Sequence, residues 1–269
     1  MQKAEYIRSG KAKDIYRRPD GDLVFVFTDR VTAFDGEKKA EYAGKGAVCC
    51  KLSCFWFELL EAAGVKTHFK EFVPPNELVA EEVELLPVEV IARNFLYGSL
   101  WRRCKSGELE VGSEFIAQGA GKKGKKEGLP LTKSFVEFTT KFEPVDRPVR
   151  EAEILARGWL DEKEVEVVKR ETRRVGEIMQ SYLAQRGILL ADFKLEYGRR
   201  RSTSSRSASS GRGEIILADE VGTPDVCRFW EKEAYESRRE IISLDKDVFR
   251  QGKGDLLEVY LEVCERILG

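Results

Sequence analysis

The residues best equipped for chemistry lie toward the C-terminal end of the chain. The segment Leu189-Leu190-Ala191-Asp192-Phe193-Lys194-Leu195-Glu196-Tyr197-Gly198 breaks into a Ser/Arg-rich run. It resumes as Glu214-Ile215-Ile216-Leu217-Ala218-Asp219-Glu220, followed by Thr223-Pro224-Asp225 and Arg228-Phe229-Trp230. These read as two strands joined by a turn. Side chains alternate between strand faces, so Leu189, Ala191, Phe193, Leu195 and Tyr197 should share one face and Asp192, Lys194 and Glu196 the other. A charged strand face followed by a second acidic pair, Asp219-Glu220, has the composition of a site for metal and polyphosphate. The same pattern fits a hairpin whose charges face water, the commoner case for such a hairpin. Against that plainer reading, Asp219-Glu220 ends an apolar strand and is followed at once by Pro, Asp, Arg and Trp.

Two other stretches carry phosphate-binding chemistry. In Ser9-Gly10-Lys11-Ala12-Lys13-Asp14 a glycine lets the backbone come close to a phosphate, and two lysines supply charge. Alone this is a weak signal, and exposed lysines at a hairpin tip are the commoner case. In Arg93-Asn94-Phe95-Leu96-Tyr97-Gly98-Ser99-Leu100-Trp101-Arg102-Arg103 an arginine leaves a strand and Gly-Ser opens a short helix. Free N–H groups at a helix start, with arginine, make a phosphate cradle. An N-cap serine with solvent-facing arginines is an even alternative.

The elements that must position these residues follow from periodicity and turn signals. Residues 4–18 read as strand, turn and strand, and Leu23–Phe27 as a strand buried on both faces. Thr28–Gly46 reads as loop, and Ala47–Ala63 as a helix with Leu52, Phe55, Trp56, Leu59 and Leu60 inward. Residues 72–92 return to strands, with Val88, Val90 and Ala92 opposite Glu89, Ile91 and Arg93. Residues 105–128 are rich in glycine and lysine and read as a mobile loop. Phe135–Phe138 is a strand, and Asp161–Gln185 the longest helix. The 199–213 connection is low in complexity and reads as a flexible insertion. Asp255–Leu268 is a terminal amphipathic helix.

The totals exclude several classes. With 46 Lys plus Arg against 47 Asp plus Glu, no overall field selects for nucleic acid or a membrane surface. A 269-residue chain with 42% hydrophobic residues can bury a real core. No apolar run approaches the ~20 residues of a membrane span, and the N-terminus has no signal-peptide core. A cytoplasmic protein is expected. The six cysteines include no CxxC pair and read as small buried thiols, and the single histidine, His68, rules out any site that needs two.

Taken together, several segments resemble the phosphoribosylaminoimidazole-succinocarboxamide synthase (SAICAR synthetase) family of purine biosynthesis. They are Gly10-Lys11-Ala12-Lys13, Ala33-Phe34-Asp35-Gly36, Gly44-Lys45-Gly46, Pro87-Val88-Glu89-Val90, Arg93 through Gly98-Ser99-Leu100, Asp192 through Gly198, Leu217-Ala218-Asp219-Glu220, and Pro224-Asp225 with Arg228-Phe229-Trp230. They occur in the family's order and span nearly the whole chain. The resemblance implies an α+β fold with an antiparallel-sheet N-terminal lobe over residues 1–84. A larger α+β, ATP-binding lobe would span residues 85–269. It implies an enzyme that uses ATP and Mg²⁺ to join L-aspartate to the carboxylate of carboxyaminoimidazole ribonucleotide, through an acyl phosphate. A homodimer or larger homo-oligomer is expected.

The resemblance also implies roles where residues match. Lys11 and Lys13 would meet the ATP phosphates, with Lys13 nearer the transferred group. Glu196 and Asp219 would hold Mg²⁺, and Lys194 would touch the nucleotide or order Glu196. Arg93, Ser99 and Arg228 would bind the ribonucleotide phosphate, with Glu89 and Asp35 in the same pocket and Lys141 toward the aspartate. Many members follow this lysine with His-Asp-Pro, where this chain has Asp146-Arg147-Pro148. Two competing readings are a small-molecule kinase with the same phosphate apparatus, and an RNA-binding module using the Lys-rich loop and the Ser/Arg run. The kinase reading lacks a His-Arg-Asp catalytic loop.

Overall fold

The computed structural model describes residues 5–33, 37–116, 126–200 and 213–269. The chain begins with β1 (Glu5–Ser9), β2 (Lys13–Arg17) and β3 (Leu23–Phe27). Lys13 opens β2 rather than ending the turn before it, and is buried at 8% exposure. Thr28–Gly46 is not all loop. β4 (Arg30–Ala33) and β5 (Lys38–Glu41) form an antiparallel hairpin. Each has only four residues, and Lys-Lys-Ala-Glu shows no apolar alternation; burial of Val31 and Ala33 fixes the pair instead. α1 (Lys45–Ala62) follows, then β6 (Phe69–Val73) and β7 (Glu77–Ala80). These complete a five-stranded antiparallel sheet of order β1-β2-β3-β7-β6.

The second sheet begins with the long strand β8 (Val83–Leu96). After it come α2 (Gly98–Ser106), a single 3₁₀ turn at Ser113–Phe115, β9 (Leu129–Thr140), β10 (Pro148–Val149) and α3 (Glu151–Ala156). Then follow α4 (Glu162–Ala184), β11 (Ile188–Arg200), β12 (Glu214–Ala218) and β13 (Cys227–Glu231). The order is β10-β9-β8-β11-β12, with β13 also paired to β11. β12 takes Glu196–Arg200 of β11 and β13 takes Ile188–Phe193. The loop between them, 219–226, therefore crosses the middle of β11. α5 (Lys232–Arg238), α6 (Asp247–Gln251) and α7 (Leu256–Leu268) close the chain.

The two faces of the β8–β11 pair differ in kind. Val88, Val90 and Ala92 on β8, with Phe193, Leu195 and Tyr197 on β11, are buried in the main core. Val165, Val168, Val175 and Met179 of α4 join that core, each contributing about 1.5–3 kcal/mol by burial. α4 starts with a capping box. The Asp161 carboxylate accepts from the Glu164 amide at 2.8 Å, and Glu164 accepts from the Asp161 amide at 2.9 Å. The opposite face carries Glu89, Ile91 and Arg93, in register with Glu196, Lys194 and Asp192.

One expected alternation fails. Leu189 and Ala191 do not share a face with Phe193; they join a separate cluster with Phe95, Trp230 and Tyr235, while Ile188 and Leu190 enter the main core. A register shift against β13 between Leu190 and Asp192 inverts the phase there. Among the described residues no helix is long and apolar enough to cross a membrane.

Candidate active site

The polar face of the second sheet opens into two adjoining cavities. One, of about 690 Å³, is lined by Arg93, Ser99, Asp192, Arg228, Asp247 and Arg250 among others. The other, of about 450 Å³, is lined by Lys13, Lys141, Glu196, Asp219 and Glu220. Lys11, Glu89, Asp146, Lys194, Asp225, Val226 and Lys246 belong to both and form the shared wall. A third hollow of about 230 Å³ touches the second at Arg8, Ile15 and Asp219. It lies between the two sheets and is largely apolar, with Leu23, Phe25, Val83 and Leu85 in its lining. It has the character of a slot for a flat ring.

In the 450 Å³ cavity Lys13, Lys141 and Lys194 each donate to a carboxylate. The Lys13 ammonium donates to Asp219 at 2.7 Å and to Glu220 at 2.8 Å. Lys141 donates to Glu196, and Lys194 donates to Glu89 at 2.6 Å and to Glu196 at 3.4 Å. Burial alone would lower the Lys13 and Lys194 ammonium groups, but the facing carboxylates outweigh it and hold both above the ordinary lysine value. Burial would raise the Asp219 carboxyl; Lys13, Lys141 and Lys194 reverse that and keep it well below the usual range. Asp219 has φ 67°, a left-handed backbone that aspartate tolerates better than most residues. Just beyond it, Gly222 has φ 70°, and an added Cβ would lie 2.0 Å from the Trp56 ring. Glycine is therefore required for the 219–226 loop to pack against α1.

Beyond the shared wall the cations of the 690 Å³ cavity are arginines, and Arg93 and Arg228 are each gripped at several points. Arg93 donates to Glu137 at 2.5 Å, to Asp192 at 3.0 Å and to the Ser99 hydroxyl at 2.9 Å. Arg228 donates to Asp192 at 2.6 Å and to Asp247 at 2.9 Å. Arg103 adds a bond to Glu137 and Arg250 one to Asp247. The Asp192 carboxylate, with burial opposing, raises the Arg228 guanidinium further above its already high value. Gly98, at the start of α2 with φ 57°, lies against Arg228: an added Cβ would sit 3.5 Å from its guanidinium carbon. Ser99 is the second residue of α2, and its side chain accepts from Arg93 rather than capping the helix.

Most of the residues expected from sequence come together here. Lys13, Lys141, Glu196 and Asp219 line one cavity; Arg93, Ser99 and Arg228 line the other; Lys11, Glu89 and Lys194 line both. Lys11 is 3.9 Å from Asp146, the residue that stands in the altered Asp-Arg-Pro segment. Asp35 lies outside the described residues, as do 201–212 of the Ser/Arg run and 117–125 of the Gly/Lys loop. The matching family model describes SAICAR synthetase and covers residues 6–267. The chain belongs to the SAICAR synthetase family. It is 39% identical to the phosphoribosylaminoimidazole-succinocarboxamide synthase of Thermococcus kodakarensis, over 98% of this chain and 97% of that one. A SAICAR synthetase solved in complex with ADP superposes with a TM-score of 0.80 at 37% identity, covering 98% of this chain and 97% of that one. The Saccharomyces cerevisiae enzyme, solved with SAICAR, superposes with a TM-score of 0.75 at 25% identity, covering 98% and 92%.

Other residues of the candidate site escaped the sequence reading. Glu137 on β9 and Asp247 and Arg250 on α6 complete the arginine cluster. Asp247 and Arg250, three apart before the last helix, offered a faint signal; Glu137 offered none. Asp225 is held by Lys45, which is 1% exposed, and by the Tyr260 hydroxyl at 3.0 Å. Burial would raise the Asp225 carboxyl, but Lys45 and Lys246 bring it down to about 2. Among the described residues no three acidic, histidine or cysteine side chains gather as a metal cage.

Proposed function

We propose that this chain is an ATP-dependent carbon–nitrogen ligase. It joins L-aspartate to the carboxylate of 5-amino-1-(5-phosphoribosyl)imidazole-4-carboxylate and yields SAICAR, ADP and phosphate through an acyl phosphate. The observation that carries this reading is the pair of adjoining cavities with one shared wall, lysine-lined on one side and arginine-lined on the other. A carboxylate is a poor electrophile, and phosphorylation supplies a leaving group. Two polyanions must meet end to end for that, and the protein's share is positioning and charge neutralisation.

In this reading the apolar slot takes the adenine ring, and Lys11 and Lys13 meet the phosphates of ATP. ADP in one relative and SAICAR in another support the same pair of ligands here. Arg93, Arg228 and Ser99 hold the ribonucleotide phosphate, since guanidinium forks match phosphate oxygens in pairs. Glu89 and Lys194 stand between the two ligands, where the reacting carboxylate must lie. Glu196 and Asp219 would hold Mg²⁺. Both are hard oxygen donors lining the phosphate-side cavity, and both are held ready by lysines rather than by rigid arginine forks, so the residues fit a hard cation. When bound, the ion would neutralise charge on the transferring phosphoryl group. Lys141, bonded to Glu196, would stand near the incoming aspartate.

The test is ADP formation with ATP, Mg²⁺, L-aspartate and the ribonucleotide, omitting each in turn. A ligase needs all four for steady ADP release. Steady release without aspartate, with a stable phosphorylated product, would make the enzyme a kinase instead.

A further inference from the structure

The shared wall of the two cavities carries three lysines, Lys11, Lys194 and Lys246, and they are not alike. The Lys11 side chain is 66% exposed at the turn before β2. Lys194 is clamped between Glu89 and Glu196. The side chain of Lys246 is 15% exposed, and its neighbouring carboxylate, Asp225, lies 3.7 Å away, beyond hydrogen-bond reach. That carboxylate is already engaged by Lys45 and Tyr260. Lys246 thus faces the junction of both cavities without a close anionic clamp. The reaction as read above gives it no work. The balance of its surroundings shifts the Lys246 ammonium below the ordinary lysine value. Burial acts first; Asp225 and Glu220 pull toward the charged form, and Arg250 and Lys45 push against it.

We propose that Lys246 accepts the proton shed by the incoming amine as the carbon–nitrogen bond forms. This rests on the acyl-phosphate reading. The uncharged amine of aspartate attacks the acyl carbon with its lone pair. The bond from that carbon to the phosphate oxygen breaks, and inorganic phosphate leaves with the electron pair. The surplus proton on nitrogen passes to the lone pair of Lys246 Nζ, and the resulting ammonium returns it to solvent once product departs. No further reactant is needed. Lys13 and Lys194 cannot take this part while their ammonium groups are held by carboxylates.

Hydroxylamine separates the steps, because it is uncharged near neutral pH and captures acyl phosphates without a base. Lys246→Met and Lys246→Arg in the full-length chain are compared with the wild type. Both variants should lose about 100-fold in aspartate-dependent turnover yet keep hydroxamate formation, from ATP, ribonucleotide and hydroxylamine, within about threefold. Equal loss of both reactions would overturn the proposal. So would recovery of aspartate-dependent turnover in Lys246→Arg, which keeps the charge and cannot accept a proton. If the wild type itself forms no hydroxamate, the acyl phosphate falls, and this step with it.

Discussion

The two ends of the site are built from opposite kinds of ion pair. At the lysine end, Lys13, Lys141 and Lys194 are point charges, meeting carboxylates at the end of flexible stems. At the arginine end, Arg93 makes three hydrogen bonds and Arg228 two, from planar groups with fixed donor directions. The contrast suits the two tasks proposed for them. A phosphate that only anchors its molecule is best met by a preorganised fork, whereas a phosphoryl group that moves is best met by charges that can follow it. Both ends stand on neighbouring residues of β8 and β11, and Arg93 and Glu89 are only two residues from Ile91 on either side.

Substitutions should separate the ends. The largest effect is expected at the lysine end. Asp219→Asn keeps a side chain that tolerates the φ of 67° but removes the charge, and should cut turnover about 1,000-fold with Tm nearly unchanged. Full activity would remove Asp219 from the proposed metal site.

Acid probes the apolar slot next to the lysine end. His68 is the chain's single histidine; it lies 2% exposed beside the apolar slot, with Phe25 and Phe57 rings 5.5 Å away. Burial, the leading cause, lowers its value from 6.5 to about 4. A depressed folded value means that the unfolded chain takes the proton first. Stability present above pH 6.5 is therefore lost as pH falls toward 4, by on the order of 3 kcal/mol. Urea unfolding at successive pH values should show this slope, and His68→Phe should flatten it; an unchanged slope would put the acid sensitivity elsewhere.

At the arginine end, Arg228→Ala should raise KM for the ribonucleotide about tenfold to a hundredfold, the value of one or two charged hydrogen bonds, while KM for ATP moves far less. Equal shifts would make Arg228 a structural residue. The smallest effect belongs to a site remote from both ends. Asp161→Ala removes the α4 cap and should cost about 1 kcal/mol in thermal unfolding without altering either KM.

Legibility in the sequence tracked how local each cause was. The charges on Asp192, Lys194 and Glu196, the glycine beside Lys11 and Lys13, and the long helix read over Asp161–Gln185 are patterns within one element, and each was readable. Glu137 and Asp247 were not, because their importance comes from meeting Arg93 and Arg228 across sheet and helix. The apolar slot was invisible for another reason: Ile15, Leu23, Phe25 and Leu85 look like any core residues until two sheets leave a gap between them. The phase slip at Leu190–Asp192 needed the partner strand β13 to be seen. Lys45 read as one more charge in a glycine turn, yet it is buried against Asp225 as the first residue of α1.

Oxygen transfer tests the central claim, a ribonucleotide carboxylate phosphorylated where the lysine and arginine ends meet. With ¹⁸O in that carboxylate, each inorganic phosphate released during aspartate-dependent turnover should carry one labelled atom. Phosphate free of label, with SAICAR still formed, would contradict it.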